Sequence, residues 1–97
     1  MRLVWSLPAI NDRVAIFDHI EQDSAEAATT ADDRIEAQVE ILEQFPEIGR
    51  PGRIGGTREF VIQRTPYIAV YRVSAEGVLI LRVIHGARQW PGETDEI

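Results

Sequence analysis

Apolar residues recur at helical spacing in the first half of the chain. After a strand-like run over residues 2–5, Ser6 suits an N-cap position and Pro8 suits the first turn of a helix. The apolar positions that follow predict one buried face of a helix ending near Gln22. These positions are Ile10, Val14, Phe17 and Ile20.

A second helix is predicted directly after the first. Asp23, followed three residues later by Glu26, matches a capping box that places the helix start there. The helical period then continues until Pro46 at Ala28, Ala31, Ile35, Val39, Leu42 and Phe45. Because almost no linker separates the two helices, they should form an antiparallel hairpin.

The second half of the chain has the pattern of a β-sheet. Residues 46–57 are rich in glycine and proline and predict a loop, after which strands are predicted over 58–64, 67–73 and 78–85. Residues 74–77 read as a hairpin turn in which Gly77 supplies the positive φ. The last strand is apolar on both faces, which places it inside the sheet and not at its edge.

The element order β-α-α-β-β-β predicts an α+β fold in which an N-terminal strand and a helical hairpin pack on a small antiparallel sheet. The length of 97 residues fits one domain, assigned to residues 1–91, with a C-terminal tail over 92–97. The sequence holds no cysteine and no long apolar run, so we expect a cytoplasmic protein without disulfides or membrane contact.

Charge is unevenly distributed along the chain. Residues 1–45 hold ten acidic residues and three arginines, whereas residues 49–92 hold seven arginines and two acidic residues. All basic residues are arginine, whose planar guanidinium group suits carboxylates and phosphates. Two interpretations remain open: an arginine-rich binding surface, or opposite charges that balance across a compact domain.

Four segments of the second half together resemble the RelE/ParE toxin superfamily. They are Phe45-Pro46 through Gly49-Arg50, Gly56-Thr57-Arg58-Glu59, Pro66-Tyr67 through Tyr71-Arg72, and Leu81 through Trp90-Pro91. The resemblance implies a growth-inhibiting toxin of the kind linked to plasmid stabilisation. It also implies a hetero-oligomer with a cognate antitoxin, either ParD-like or another short protein.

Two activities occur among the proteins that this chain resembles. RelE-like members cut mRNA in the ribosome, and ParE-like members inhibit DNA gyrase. Family ribonucleases use a lysine/arginine cluster and an arginine early in the Pro-Tyr strand, but this chain has no lysine and carries Ile68 and Ala69 there. His85 is followed by Gly86 and not by tyrosine. We therefore favour a gyrase inhibitor, with a ribosome-dependent endonuclease or a non-toxic relative as alternatives.

Candidate site residues follow from these two readings. A ribonuclease would rely on Arg82, His85 and Arg88, although strict strand alternation puts Arg82 and His85 on opposite faces. The residues predicted to bind the target or the antitoxin are Arg58, Arg64, Arg72, Arg82 and Arg88. If their faces coincide, Arg58, Arg64 and Arg72 would rim an apolar patch suited to an acidic, amphipathic segment. The alternative is that these arginines are solvated and lay their stems over the core. We expect no metal, because His19 has no neighbouring cysteine or carboxylate pattern that would make a metal site, and no cofactor.

Overall fold

The computed structural model describes residues 1–92 and Asp95. The chain forms β1 (Leu3–Trp5), α1 (Leu7–Glu21), α2 (Ala25–Val39), a 3-10 helix (Glu40–Glu43), β2 (Arg50–Pro51), β3 (Arg58–Val61), β4 (Tyr67–Ser74) and β5 (Gly77–His85). The order matches the predicted α+β pattern, with the short β2 added inside the predicted loop. Of the predicted tail, residues 93–94 and 96–97 lie outside the described residues.

The five strands form one sheet in the order β1-β5-β4-β3-β2. The prediction that the last strand is internal is confirmed, since β5 lies between β1 and β4. The sheet is mixed, because β1 pairs parallel to β5 while the other neighbours are antiparallel. A tight turn forces antiparallel pairing, whereas the long stretch of chain between β1 and β5, which includes both helices and three strands, allows parallel pairing.

The first helix begins where the sequence predicts but buries a different face. The Ser6 hydroxyl accepts a hydrogen bond from the Ala9 amide at 3.2 Å, which confirms the N-cap. The helix packs through fully buried Ala9 and half-buried Ile16 and Ile20. The prediction of a buried face is correct for Ile20 but wrong for Ile10 and Val14, which are exposed. Their spacing is helical too, and only contact with the sheet decides which apolar stripe turns inward.

The second helix starts one residue later than predicted. Its N-cap is Ser24, whose hydroxyl accepts from the Ala27 amide at 3.1 Å, and not Asp23. The predicted buried face is confirmed at Ala28, Ile35, Val39 and Leu42. Phe45 lies beyond the 3-10 helix and is exposed, because the change in helix type breaks the period that would have carried it inward.

The sheet separates two apolar clusters. The larger one lies between the sheet and the helices, on what we call the helix-covered face; it includes Ile35, Leu42, Tyr71 and Ile80. The smaller cluster lies on the other side of the sheet, which we call the opposite face. It is made of Ile68, Val70, Ile84 and Trp90, with Ile54 and Leu81 packed against it.

The strand predicted to run to Arg64 ends at Val61. Arg64 adopts a φ of +64°, which an extended strand does not permit. Gln38 of α2 holds this turn, since its side chain donates to the Gln63 carbonyl at 2.8 Å and accepts from the Gln63 amide at 2.6 Å. The contact to α2 therefore fixes a turn that strand periodicity does not reveal. No helix in the described part of the chain is long and apolar enough to cross a membrane.

Candidate functional site

Three of the predicted binding arginines do not share one face of the sheet. Arg58 pairs with Tyr71 in the register, so it lies on the helix-covered face, where its guanidinium donates to the carbonyls of Glu47 at 3.1 Å and Gly49 at 2.8 Å. Arg64 sits in the turn after β3. Arg72 is exposed on the opposite face beside Leu79. The expectation that these arginines rim one shared patch is therefore wrong, because Arg58 and Arg72 point to different sides of the sheet.

Arg82 is held by a carboxylate that comes from α1. A bulge in β5 leaves Leu81 without a residue opposite it in β4, because Val70 pairs with Arg82 and Tyr71 pairs with Ile80. The Arg82 guanidinium donates twice to Asp12, at 2.7 and 3.0 Å, in a two-pronged ion pair.

The same Asp12 carboxylate protects the edge of β5. Because β1 ends at Trp5, the β5 backbone beyond Ile80 has no strand beside it on that side. Asp12 accepts a hydrogen bond from the Val83 amide at 2.9 Å and so satisfies a donor that a longer β1 would have paired. Asp12 thus fixes both the side chain of Arg82 and the strand end that carries it.

Arg88 meets Arg82 at a second carboxylate, that of Asp95. Arg88 donates to both Asp95 oxygens at 2.6 and 2.7 Å, and Arg82 donates to one of them at 3.0 Å. The Gly92 amide completes the set at 2.7 Å. This amide, together with the two guanidinium groups, holds the pKa of Asp95 below its usual value although burial acts in the opposite direction.

Trp90 forms the floor beneath the two arginines. Its ring is 4% exposed and packs on Ile68, Val70 and Ile84. The guanidinium carbons of Arg82 and Arg88 lie 5.4 and 5.8 Å from the ring centroid, within the range of cation–π contact. We call this set, made of Asp12, Arg82, Arg88, Trp90 and Asp95, the C-terminal arginine cluster. It brings together two of the five predicted binding residues.

His85 lies on the helix-covered face, opposite to the face that carries Arg82. It pairs with Tyr67, and the two rings meet edge to face with centroids 5.8 Å apart. The predicted separation of Arg82 and His85 is confirmed, because the bulge precedes Arg82 and leaves the alternation after it intact. The Nδ1 atom of His85 accepts from the Ala87 amide at 3.1 Å. The three residues of the ribonuclease alternative therefore do not converge on one point.

A shallow depression of 280 Å³ nevertheless joins some titratable groups around His85. His19 of α1, Tyr67, His85 and Arg88 line it. Burial raises the pKa of Tyr67, which makes its hydroxyl a poorer source of a base near neutral pH. Within residues 1–92 and Asp95, His, Cys, Asp and Glu form no group of three that would hold a metal ion.

Glu59 is a buried structural residue that the sequence pattern did not predict. Its side chain is 1% exposed on the opposite face, where it pairs with Arg50 at 3.2 Å and Arg53 at 3.5 Å. It also accepts from the Arg53 backbone amide at 2.9 Å. The carboxylate thus fastens the loop between β2 and β3 to the sheet. Seven arginines in a segment with two acidic residues were the available signal that each acid would be paired.

Part of the apolar face predicted for α1 is exposed, which the sequence pattern did not reveal. Leu7, Ile10 and Val14 are 68%, 44% and 54% exposed, and half-buried Phe17 continues the row at helical spacing. We call these four residues the α1 stripe. Ile10, Val14 and Phe17 line a groove of 270 Å³ toward α2, edged by Asp18 and Asp32. An apolar row of this length on a helix surface is typical of an interaction site.

Comparison with known proteins identifies the family to which this fold belongs. Residues 3–90 match the family described as ParE toxin of the type II toxin–antitoxin system parDE. The chain belongs to the ParE toxin family. The match spans both helices and all five strands, so the resemblance inferred from the four segments is confirmed over the whole fold.

Individual relatives agree with the family assignment. A protein named "Putative toxin Y4kP" from Sinorhizobium fredii is 43% identical over 90 residues, which cover 93% of each chain. "Toxin RelE2" from Caulobacter vibrioides is 36% identical over 87 residues, covering 90% of this ParE-family chain and 97% of the relative. A solved structure described as "Chromosomal ParDE TA system from P. aeruginosa" is 34% identical with a TM-score of 0.81, covering 88% of this chain and 95% of the other.

Proposed function

We propose that this protein stops bacterial growth by binding DNA gyrase and that a cognate antitoxin neutralises it. The observation that carries the proposal is the match to the ParE toxin family over residues 3–90. The separation of Arg82 and His85 onto opposite faces of the sheet supports it further, because RNA cleavage without a metal needs its base, acid and charge-stabilising groups around one phosphate.

We propose the α1 stripe as the place where the antitoxin binds. Exposed apolar side chains in a row lose contact with water when an amphipathic segment covers them, at roughly 25 cal/mol per Å² of apolar surface. The groove beside this stripe carries Asp18, whose carboxylate can pair with a basic residue, whereas Asp32 is already paired with Arg13 at 3.0 Å. An antitoxin segment with apolar anchors and basic flanking residues complements that surface in both respects.

A second candidate function has one observation in its favour. His85 and Arg88 line the same depression as His19 and Tyr67, and a histidine is the usual proton-transfer group near neutral pH. Ribosome-dependent cleavage of mRNA would use this depression, to which the C-terminal arginine cluster contributes Asp12 and Arg88.

Two assays run side by side decide between these functions. Purified toxin is added to gyrase in a DNA supercoiling assay and to translating ribosomes in a transcript-cleavage assay. The gyrase proposal requires loss of supercoiling with intact transcripts. Cut transcripts with normal supercoiling would instead establish the second candidate, and His85→Ala would then abolish the cuts.

The antitoxin proposal is tested in cells that express the toxin with the short reading frame beside its gene. Val14→Asp places a charge on the α1 stripe, and Ala37→Asp places the same charge on an exposed position of α2. We expect both variants to stay toxic, and only Val14→Asp to escape neutralisation. Equal neutralisation of the two variants would exclude the α1 stripe as the binding surface.

A further inference from the structure

The carboxylate of Asp95 occupies a complete set of donors contributed by the rest of the chain. Arg82, Arg88 and the Gly92 amide all converge on its two oxygens, at distances of 2.6 to 3.0 Å. The Asp95 side chain is 5% exposed, so these donors enclose it almost fully. A planar group with two oxygens is the ligand that this arrangement fits.

The donors keep their positions by contacts that do not involve Asp95. Two hydrogen bonds to Asp12 fix the guanidinium of Arg82, and the Trp90 ring lies below it. Arg88 also lies over Trp90, and its carbonyl accepts from Arg53 at 3.4 Å. Trp90, buried two residues before Gly92, anchors that end of the chain. Removing the Asp95 carboxylate would therefore leave a preformed anion site.

The described contacts of the Asp95 side chain are ion pairs and hydrogen bonds. Its backbone amide donates to the Gly92 carbonyl at 3.2 Å, which closes a short turn. A competing carboxylate can displace this contact without unpacking the core, because it offers the same charge and the same two acceptor oxygens to the same donors.

We propose that Arg82, Arg88 and the Gly92 amide form a binding site for a carboxylate of a partner protein, and that Asp95 occupies this site in the free toxin. The inference rests on the proposed function for the identity of the partner, the antitoxin, whose acidic side chain takes the place of Asp95. The partner must then compete with the chain's own C-terminal segment, which lowers its apparent affinity by the fraction of sites that Asp95 leaves open.

The first experiment tests the chemistry of the site and requires neither antitoxin nor gyrase. Glutarate and inorganic phosphate are titrated separately into wild-type toxin and Asp95→Ala. The Nε–H signals of Arg82 and Arg88 and the Gly92 amide are followed by NMR. We expect glutarate to saturate Asp95→Ala at a concentration about tenfold lower than wild type requires. Adding Arg88→Gln to Asp95→Ala should abolish saturation, whereas adding Arg64→Gln should leave it unchanged.

Several results would overturn the proposal. Equal glutarate affinity of wild type and Asp95→Ala would mean that Asp95 does not compete for the site. Absence of saturation in both would mean that no anion site exists, and preference for phosphate over glutarate would point to a phosphate ligand instead. If Asp95→Ala does not fold, Asp95→Asn serves as the second variant, since it keeps the side-chain shape and one acceptor.

The second experiment measures the toxin–antitoxin complex. Asp95→Ala should bind the antitoxin about tenfold more tightly than wild type, and Arg88→Gln should bind it more weakly. A complex that forms with unchanged affinity in both variants refutes the carboxylate site while leaving the proposed function standing. If no complex forms with any variant but the glutarate titration succeeds, the proposed antitoxin fails and the anion site remains.

Discussion

The helix-covered face and the opposite face of the sheet are closed by different physical means. On the helix-covered face, Ile35, Val39 and Leu42 are fully buried against the strands. On the opposite face a small apolar cluster around Trp90 is framed by two sets of ion pairs, one at Glu59 and one at Asp95. Apolar burial responds little to salt and pH. Ion pairs weaken in high salt, which screens them, and in acid, which protonates the carboxylate. The opposite face is therefore the side that solution conditions or a charged partner can alter.

The largest expected effect comes from the helix-covered face. Leu42→Ala should lower the free energy of unfolding by about 3 kcal/mol, because it removes apolar contacts and leaves a cavity in the core. Urea denaturation measures the change. The neighbouring Ile41→Ala, at a position that is 43% exposed, is the matched control and should lose far less. Equal losses would show that the 3-10 helix does not pack as described.

A smaller effect is expected from the ion pairs of the opposite face. Glu59→Gln removes the charge that Arg50 and Arg53 share, and should lower the free energy of unfolding by about 2 kcal/mol. The loss should shrink in high salt, which distinguishes it from the loss in Leu42→Ala. Exposed Glu21, changed to Gln, controls for removal of a charge alone. An unchanged unfolding curve for Glu59→Gln would mean that this carboxylate does not fasten the loop.

Acid should release the Asp95 contact at a pH below the ordinary carboxyl pKa. A carboxyl group with a lowered pKa stabilises the folded state above its unfolded pKa, near 4, and this contribution disappears as pH falls through the folded value. Asp12, Arg82 and Arg88 are the charged groups that face the contact. Trp90 fluorescence, followed in a Trp5→Phe background, should therefore change in acid.

The same titration has an internal control in Asp95→Asn. This variant carries no group that loses its charge at that position, so its Trp90 signal should lack the acid transition. A transition that persists in Asp95→Asn would assign the change to another carboxylate.

The smallest effect on stability is expected from the α1 stripe. Val14→Asp should change the free energy of unfolding by only about 0.5 kcal/mol, because the side chain is already 54% exposed. Urea denaturation of Val14→Asp beside Leu42→Ala therefore separates an apolar row that stabilises the fold from one that does not. A loss as large as that of Leu42→Ala would place the stripe in the core after all.

The sequence by itself determined the order of the elements, the internal position of β5 and the membership of the superfamily. These features depend on local chemistry: Ser6 caps a helix wherever it precedes one, Gly77 permits a turn, and a strand apolar on both faces must be covered on both faces. The long periodic face of α2 also belongs here, because a single apolar stripe leaves only one way to bury the helix.

Only the tertiary structure decided which stripe of α1 is buried and which arginines meet. Two apolar rows on one helix have the same period, and the close approach of Ala9 to the sheet selected between them. The partners of Arg82 are 70 positions earlier and 13 positions later in the chain. The pairing of Arg82 with Asp12 depends on the shortness of β1, which leaves the edge of β5 beyond Ile80 open to Asp12. Local pattern carries no information about that edge, so the C-terminal arginine cluster could be recognised only in the folded chain.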